Sequence, residues 1–168
     1  RSLFALQQGL RSAAVIGEMM VPVLEAQVPE GVEPARALGF AFQLTNFLRD
    51  VGEDLDRGRV YLPREDLDRF GADPAARRVD DNWRALMRFE IERNRELYRQ
   101  ADKGLSLMPR PSARCVATAR VLYSGILERI EKRDYDVFTG RARVALPVKM
   151  ATALRGLSSR HPEVWGAR

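Results

Sequence analysis

Cysteine and histidine are almost missing from this sequence of 168 residues, with Cys115 and His161 their single representatives. One thiol excludes an internal disulfide framework, and the pair cannot build a Cys/His metal site. A reducing, cytoplasmic setting is therefore expected. Lysine is scarce as well: Lys103, Lys132 and Lys149 are the lysines among 28 basic residues. No run of about eighteen apolar residues could cross a bilayer, and no charged-plus-apolar leader opens the chain. No basic block is interleaved with aromatics, so a nucleic-acid partner is not expected. The chain starts at Arg1 in a stretch that already reads as helix interior, which suggests a piece of something longer.

What is present favours one helical domain. Hydrophobic residues make up 45% of the chain, enough for a real core at this length. The formal charge of +5 is carried by arginine, which suits phosphate or carboxylate recognition, although biased genome composition explains the bulk count. Apolar residues recur at helical spacing, and no alternating strand pattern persists. The reading is a helix from Ser2 to Glu25 that Pro22 bends or ends, a connector over Val28–Gly31, and a second helix from Pro34 to Arg57. A short helix follows over Arg64–Phe70. A long one, capped by Asp81, runs to Lys103, another spans Pro111–Lys132, and a last one covers Pro147–Leu154 and stops at Gly156. The fold class is all-α, a helical bundle over residues 1–168.

The informative segment is GFAFQLTNFLRDVGEDLDRGRVY, Gly39 to Tyr61. At about 100° per residue, counting from Gln43, the residues Asn46, Asp50, Asp54 and Arg57 fall near roughly 300°, 340°, 20° and 320°. Gly39 lands on the same stripe, whereas Leu44, Leu48, Val51 and Leu55 form a separate apolar seam. Asp50 and Asp54 stand one turn apart, a like-charge pair that disfavours a helix unless a cation offsets it. Carboxylates with an amide such as Asn46 suit Mg²⁺, which takes one or two carboxylates and fills its shell with water and phosphate oxygens. Arg49, Arg57 and Arg59 could grip a diphosphate bidentately. Gly39 would leave room for a ligand chain. A DxxxD pattern by itself is usually a solvated acidic face. Here Phe40, Phe42 and Phe47 surround the helix, which implies burial on several sides and a polar stripe in need of partners.

The run QLTNFLRDVGEDLDRGRVYLP resembles the second aspartate-rich signature of the phytoene/squalene synthase family. RSAAVIGEMMVPVLE is similar to the helix before that signature, and ILERIEKRDYDVFTGRARV to a late helix and turn of bacterial phytoene synthases. The resemblance covers Arg11 to Leu154. It implies the isoprenoid-synthase bundle, with this chain as the C-terminal part of a single domain. Asp50 and Asp54 match carboxylates that bind diphosphate through bridging magnesium, and Gln43, Asn46 and Arg49 match their neighbours. Arg59 and Tyr61 match residues that hold the departing diphosphate. Tyr123 matches a late-helix tyrosine or is ordinary core packing. One feature departs from the family. No second acidic motif precedes Gln43, where Glu18, Glu25, Glu30 and Glu33 are the carboxylates. The isolated piece is therefore expected to be inactive.

The function implied by the resemblance is head-to-head joining of two prenyl diphosphates, geranylgeranyl diphosphate giving phytoene through a cyclopropylcarbinyl diphosphate. The alternatives are a squalene-pathway relative that acts on farnesyl diphosphate and a non-catalytic family member that acts in assembly. The stretch Thr139–Leu157 carries Arg141, Arg143, Lys149 and Arg155 among apolar residues. It reads either as a peripheral contact with an anionic membrane or as a solvated bundle end.

Overall fold

In the computed structural model, residues 2–25, 29–142 and 145–158 are described. Seven α-helices appear among them: α1 (Ser2–Val23), α2 (Val32–Arg49), α3 (Val51–Asp56), α4 (Arg64–Phe70), α5 (Asp81–Asp102), α6 (Arg110–Lys132) and α7 (Leu146–Ser158). No strand occurs among the described residues, so the all-α expectation holds. Val28, Arg143 and the tail with His161 lie outside them.

Helix α2 is the hub and packs against α1, α5 and α6. Its apolar seam, Ala41, Leu44 and Leu48, meets Trp83, Leu86, Met87 and Ile91 of α5 and Leu127 and Ile130 of α6 in one buried core. The heptad-like recurrence of buried positions on α5 explains why a helix of such polar mean composition still docks firmly. A polar knot sits inside this core. Thr45 Oγ1 lies 2.8 Å from the Tyr98 hydroxyl and accepts from Asn94 Nδ2 at 2.8 Å, tying α2 to α5.

Several boundaries differ from the sequence reading. The helix read as continuous from Pro34 to Arg57 is interrupted at Asp50 (φ −100°, ψ 9°) and resumes as α3. Two residues on, a Cβ on Gly52 would sit 2.7 Å from the Val137 carbonyl oxygen, so the backbone of α3 lies against the late turn close to the break. Hydrogen bonds from Asp50 N–H to Asn46 O and from Asp54 N–H to Asp50 O, both 2.9 Å, carry the i→i−4 pattern across the break. The cap of α5 is Asp80, whose carboxylate accepts the Trp83 N–H at 2.9 Å; Asp81 already lies in the first turn. Pro22 sits inside α1, which ends one residue later, and α7 continues through Gly156 to Ser158.

Gly39 plays a different part from the one its stripe position implied. A Cβ there would lie 2.3 Å from the Ala13 carbonyl oxygen, and one on Gly17 would lie 2.4 Å from that of Ala35. These two glycines let the antiparallel α1 and α2 touch backbone to backbone. The position serves helix packing first, although Gly39 also borders the cleft described next.

Candidate diphosphate-binding site

An apolar cleft of about 490 Å³ runs between α1, α2 and α6, with Ile16, Met20, Leu38 and Phe42 among its walls. Gln43 stands at its polar end. Continuing along α2 from Gln43, the stripe reaches Asn46, Arg49, Asp50 and then Asp54 on α3. An apolar trough thus adjoins a set of carboxylates and guanidiniums.

Asp50 is held from two directions. Arg49 donates Nε and Nη2 to its two carboxylate oxygens, each at 2.7 Å, a planar fork-on-fork pair. Arg141 places its Nε 2.9 Å from Asp50 Oδ1 and 2.6 Å from Glu53 Oε1. That Nε is buried and aligned with neither oxygen for a hydrogen bond, so the contact is ionic. Asp54 has weaker company. Its nearest guanidinium is that of Arg57 at 3.8 Å, and Arg57 also lies 3.7 Å from Glu53. Burial raises the Asp54 carboxyl above the ordinary range, and the Asp50 charge raises it further, with Arg57 and Arg59 offsetting in part.

The remaining predicted residues gather around this centre. Arg59 is exposed, and its backbone N–H donates to Asp54 O at 2.8 Å, which folds the segment after α3 back onto the site. Tyr61 stacks on Phe47 at 4.4 Å between centroids, 11° from parallel, and lines a small pocket with Asp54 and Arg59. Tyr123 lies on α6, beside the core. Its ring packs 4.4 Å from Phe42, and it also acts electrostatically on Arg49.

Sequence reasoning missed Glu53 and did not connect Arg141 with the aspartates, grouping it with Arg143, Lys149 and Arg155 in a stretch read as a membrane contact or a solvated bundle end. The structure turns Arg141 inward. The preceding turn is stiff: the Asp136 carboxylate accepts the backbone N–H of Phe138 and Thr139 at 3.0 and 3.1 Å, and Arg133 donates to Gly140 O at 2.8 Å. Trp83 Nε1 donates to Tyr135 O at 3.0 Å and pins that turn to α5. The Asp-x-Phe-Thr-Gly pattern was the available signal, since an aspartate two residues before such a step favours an Asx turn.

The donor set fits a hard divalent cation. Asp54 is a shielded carboxylate beside a second one, with no guanidinium within hydrogen-bond reach of it among the contacts described. Among the described residues no cluster of three or more His, Cys, Asp or Glu could hold a metal alone, so the remaining ligands would be water and phosphate oxygens. That division of ligands is the habit of Mg²⁺.

Comparison with known proteins bears on the family of the chain. The chain is 46% identical over 149 residues to the 15-cis-phytoene synthase of Synechocystis sp., covering 84% of this chain and 44% of that protein. It is likewise 46% identical over 150 residues to the phytoene synthase of Arthrospira platensis, covering 84% and 48%. A crystal structure of a dehydrosqualene synthase in complex with ligand superposes with a TM-score of 0.78 at 31% identity, covering 86% of this chain and 52% of that one. The chain thus spans about half the length of the relatives it matches. With residues 10–148 matching the squalene/phytoene synthase model, the chain belongs to that family.

Proposed function

We propose that the protein containing this chain joins two molecules of geranylgeranyl diphosphate head to head to give phytoene, and that this chain supplies one diphosphate-binding wall. The observation that carries the reading is that Asp50, Asp54 and their arginines continue, along α2 and α3, the stripe of Gln43, which lines an apolar cleft. The cleft suits an isoprenoid chain, and the charged end suits its diphosphate. Catalysis here is electrostatic stabilisation of a leaving diphosphate, with water kept from the allylic cation.

Mg²⁺ held by Asp50, Asp54 and the Asn46 amide would neutralise phosphate charge and ease diphosphate departure. Once the carboxylate charge is offset in that way, the guanidiniums of Arg49 and Arg141 can turn from Asp50 towards phosphate oxygens. Arg57 and Arg59 reach the same region from the exposed side, and Gln43 meets the junction between diphosphate and chain. Tyr61, steadied by Phe47, presents its hydroxyl near the departing group. The overall chemistry releases two diphosphates and two protons for each phytoene, one of each at either stage, so no hydride donor is required.

A second reading is favoured by the dehydrosqualene synthase likeness: the same site would take farnesyl diphosphate and give a squalene-type product. A product assay of the intact protein with farnesyl and geranylgeranyl diphosphates, each with and without NADPH, separates the two. Phytoene from the longer substrate without NADPH is expected. A preference for farnesyl diphosphate, or product only with NADPH, would move the assignment to the squalene branch.

The finer reading of location is a peripheral membrane contact. No helix of the described residues is long and apolar enough to cross a membrane. On α7, Leu146, Val148, Met150 and Leu154 are exposed, an apolar surface that an anionic bilayer could cover. Flotation of the protein with anionic vesicles, lost on Leu146→Ser plus Leu154→Ser, is the expected result; unchanged flotation of the double variant would rule α7 out.

A further inference from the structure

The segment that carries Arg59 and Tyr61 is fixed at both ends. At its start, Asp54 O holds the Arg59 N–H. At its end comes α4, a helix of 7 residues, far below the length that is stable alone. Helix α4 docks onto α5 through the Phe70–Phe89 ring contact, 5.3 Å between centroids, and through a small charged cluster. Asp66 of α4 is buried, and it accepts from Arg93 Nη1 at 2.8 Å. The same Nη1 reaches both Glu90 oxygens at 3.3 and 3.2 Å, and Glu90 is fully buried. Two buried carboxyls thus meet at one guanidinium nitrogen. One guanidinium charge balances one carboxylate, so burial of the second favours its protonated form.

We propose that Glu90, Asp66 and Arg93 form a latch, two carboxyls closed on one guanidinium, that docks α4 and so positions Arg59 and Tyr61 at the diphosphate site. Glu90 and Arg93 act through α4 and touch no substrate, which makes them positioning residues; the functional meaning of Arg59 and Tyr61 rests on the reading given above.

The physical case runs through charge count. With one proton, a carboxyl and a carboxylate face a single guanidinium and the cluster is neutral. Without it, two carboxylates compete for Arg93, which is 40% exposed and solvated on its outer side. Glu90 is pushed up to about 7 by burial, against the opposing pull of Arg93, with Asp66 raising it further. No other charge offsets the loss. The α2 and α6 residues in the adjoining core, Leu44, Leu48, Leu127 and Ile130, are apolar. Nearby Arg69 stacks over the Phe70 and Phe89 rings, 5.3 and 4.9 Å from their centroids. As pH rises from about 4.5 to about 7 the latch should therefore weaken and α4 loosen, while the α2–α5–α6 core stays closed.

The test is hydrogen–deuterium exchange of the intact protein from about pH 4.5 to about pH 8, read as protection factors so that intrinsic base catalysis is removed. Amides of residues 59–70 should lose protection by up to about tenfold per pH unit until about pH 7 and then level off, while those of α6 hold theirs. Glu90→Gln removes the titrating carboxyl and should make that protection independent of pH. Glu90→Ala removes the latch and should leave residues 59–70 weakly protected at every pH. Three results would overturn the proposal: pH-independent protection in the unaltered protein, an unchanged pH slope in Glu90→Gln, or parallel loss of protection in α6. Exchange is read without turnover, so failure of the latch and failure of the prenyl-transfer reading are separable.

Discussion

Neutralising the two aspartates of the stripe should have opposite effects on stability, because the structure gives them different neighbours. As a bare like-charge pair on one helix, both would gain a few tenths of a kcal/mol from asparagine. Asp50, however, is partnered on both oxygens by Arg49, with side chains only 15% and 21% exposed, and by Arg141 as well. Asp50→Asn leaves Arg49 and Arg141 facing one another with no charge between them. Hydrogen bonds to charged groups contribute about 1.5–3 kcal/mol, and an asparagine oxygen retains part of that, so a net loss of about 1–2 kcal/mol is expected. Asp54 has no such pair. Its folded pKa is raised, so its contribution to stability is lost as pH rises through that value, and asparagine removes the loss. Asp54→Asn should therefore gain about 0.5 kcal/mol at neutral pH and nothing in acid. For a domain of this size each kcal/mol moves the melting point by roughly 2–4 °C, which thermal denaturation without divalent ions resolves. Both variants should also lose prenyl transfer by on the order of 100-fold or more. Melting shifts of the same sign would refute the charge assignment, and near-normal turnover in both would refute the metal site.

Gly39→Ala should cost about 1–3 kcal/mol in denaturant titrations, because its Cβ would meet the Ala13 carbonyl and α1 would have to move away; an unchanged midpoint would mean that the two helices are not in backbone contact. The raised Glu90 pKa, from 4.5 to about 7, predicts that stability is fullest below about pH 4.5 and falls by up to roughly 3 kcal/mol as pH rises to about 7. Glu90→Gln should flatten that part of the pH–stability curve, and a slope that survives the substitution would assign it to another group.

Much of the fold was legible because helices announce themselves through period. The α5 residues Trp83, Leu86, Met87 and Glu90 recur at helical spacing and are all buried. Glu90 shows the limit of that reading, since a pattern marks it as inward-facing but says nothing of what neutralises it. Its partner Asp66 belongs to a different helix, 24 positions earlier, and only tertiary packing brings the two together. The break at Asp50 was illegible for a related reason. Its local sequence is compatible with helix, and the neighbouring close approach of Gly52 to the backbone of Val137 and Phe138 is a contact from far along the chain.

The candidate site divides along the same line. Gln43, Asn46, Asp50 and Asp54 fall within about three turns of helix, so spacing alone could group them. Arg141 stands far along the chain, and a charge count over a window must read it with its sequence neighbours, which are those of the apolar stretch leading into α7. Its direction is decided instead by the Asp136 turn and by the Trp83 bond to Tyr135 O, contacts that no periodicity encodes. That difference bears on function. The residues legible as a stripe are those whose oxygens suit a cation, whereas Arg141, which balances Asp50 and Glu53 in the absence of one, arrives from outside it. A wall built only from the helix would present adjoining carboxylates with too little positive charge to keep them together. The fold supplies the missing guanidinium through a turn on the far side of α6, so formation of the site depends on completion of the bundle.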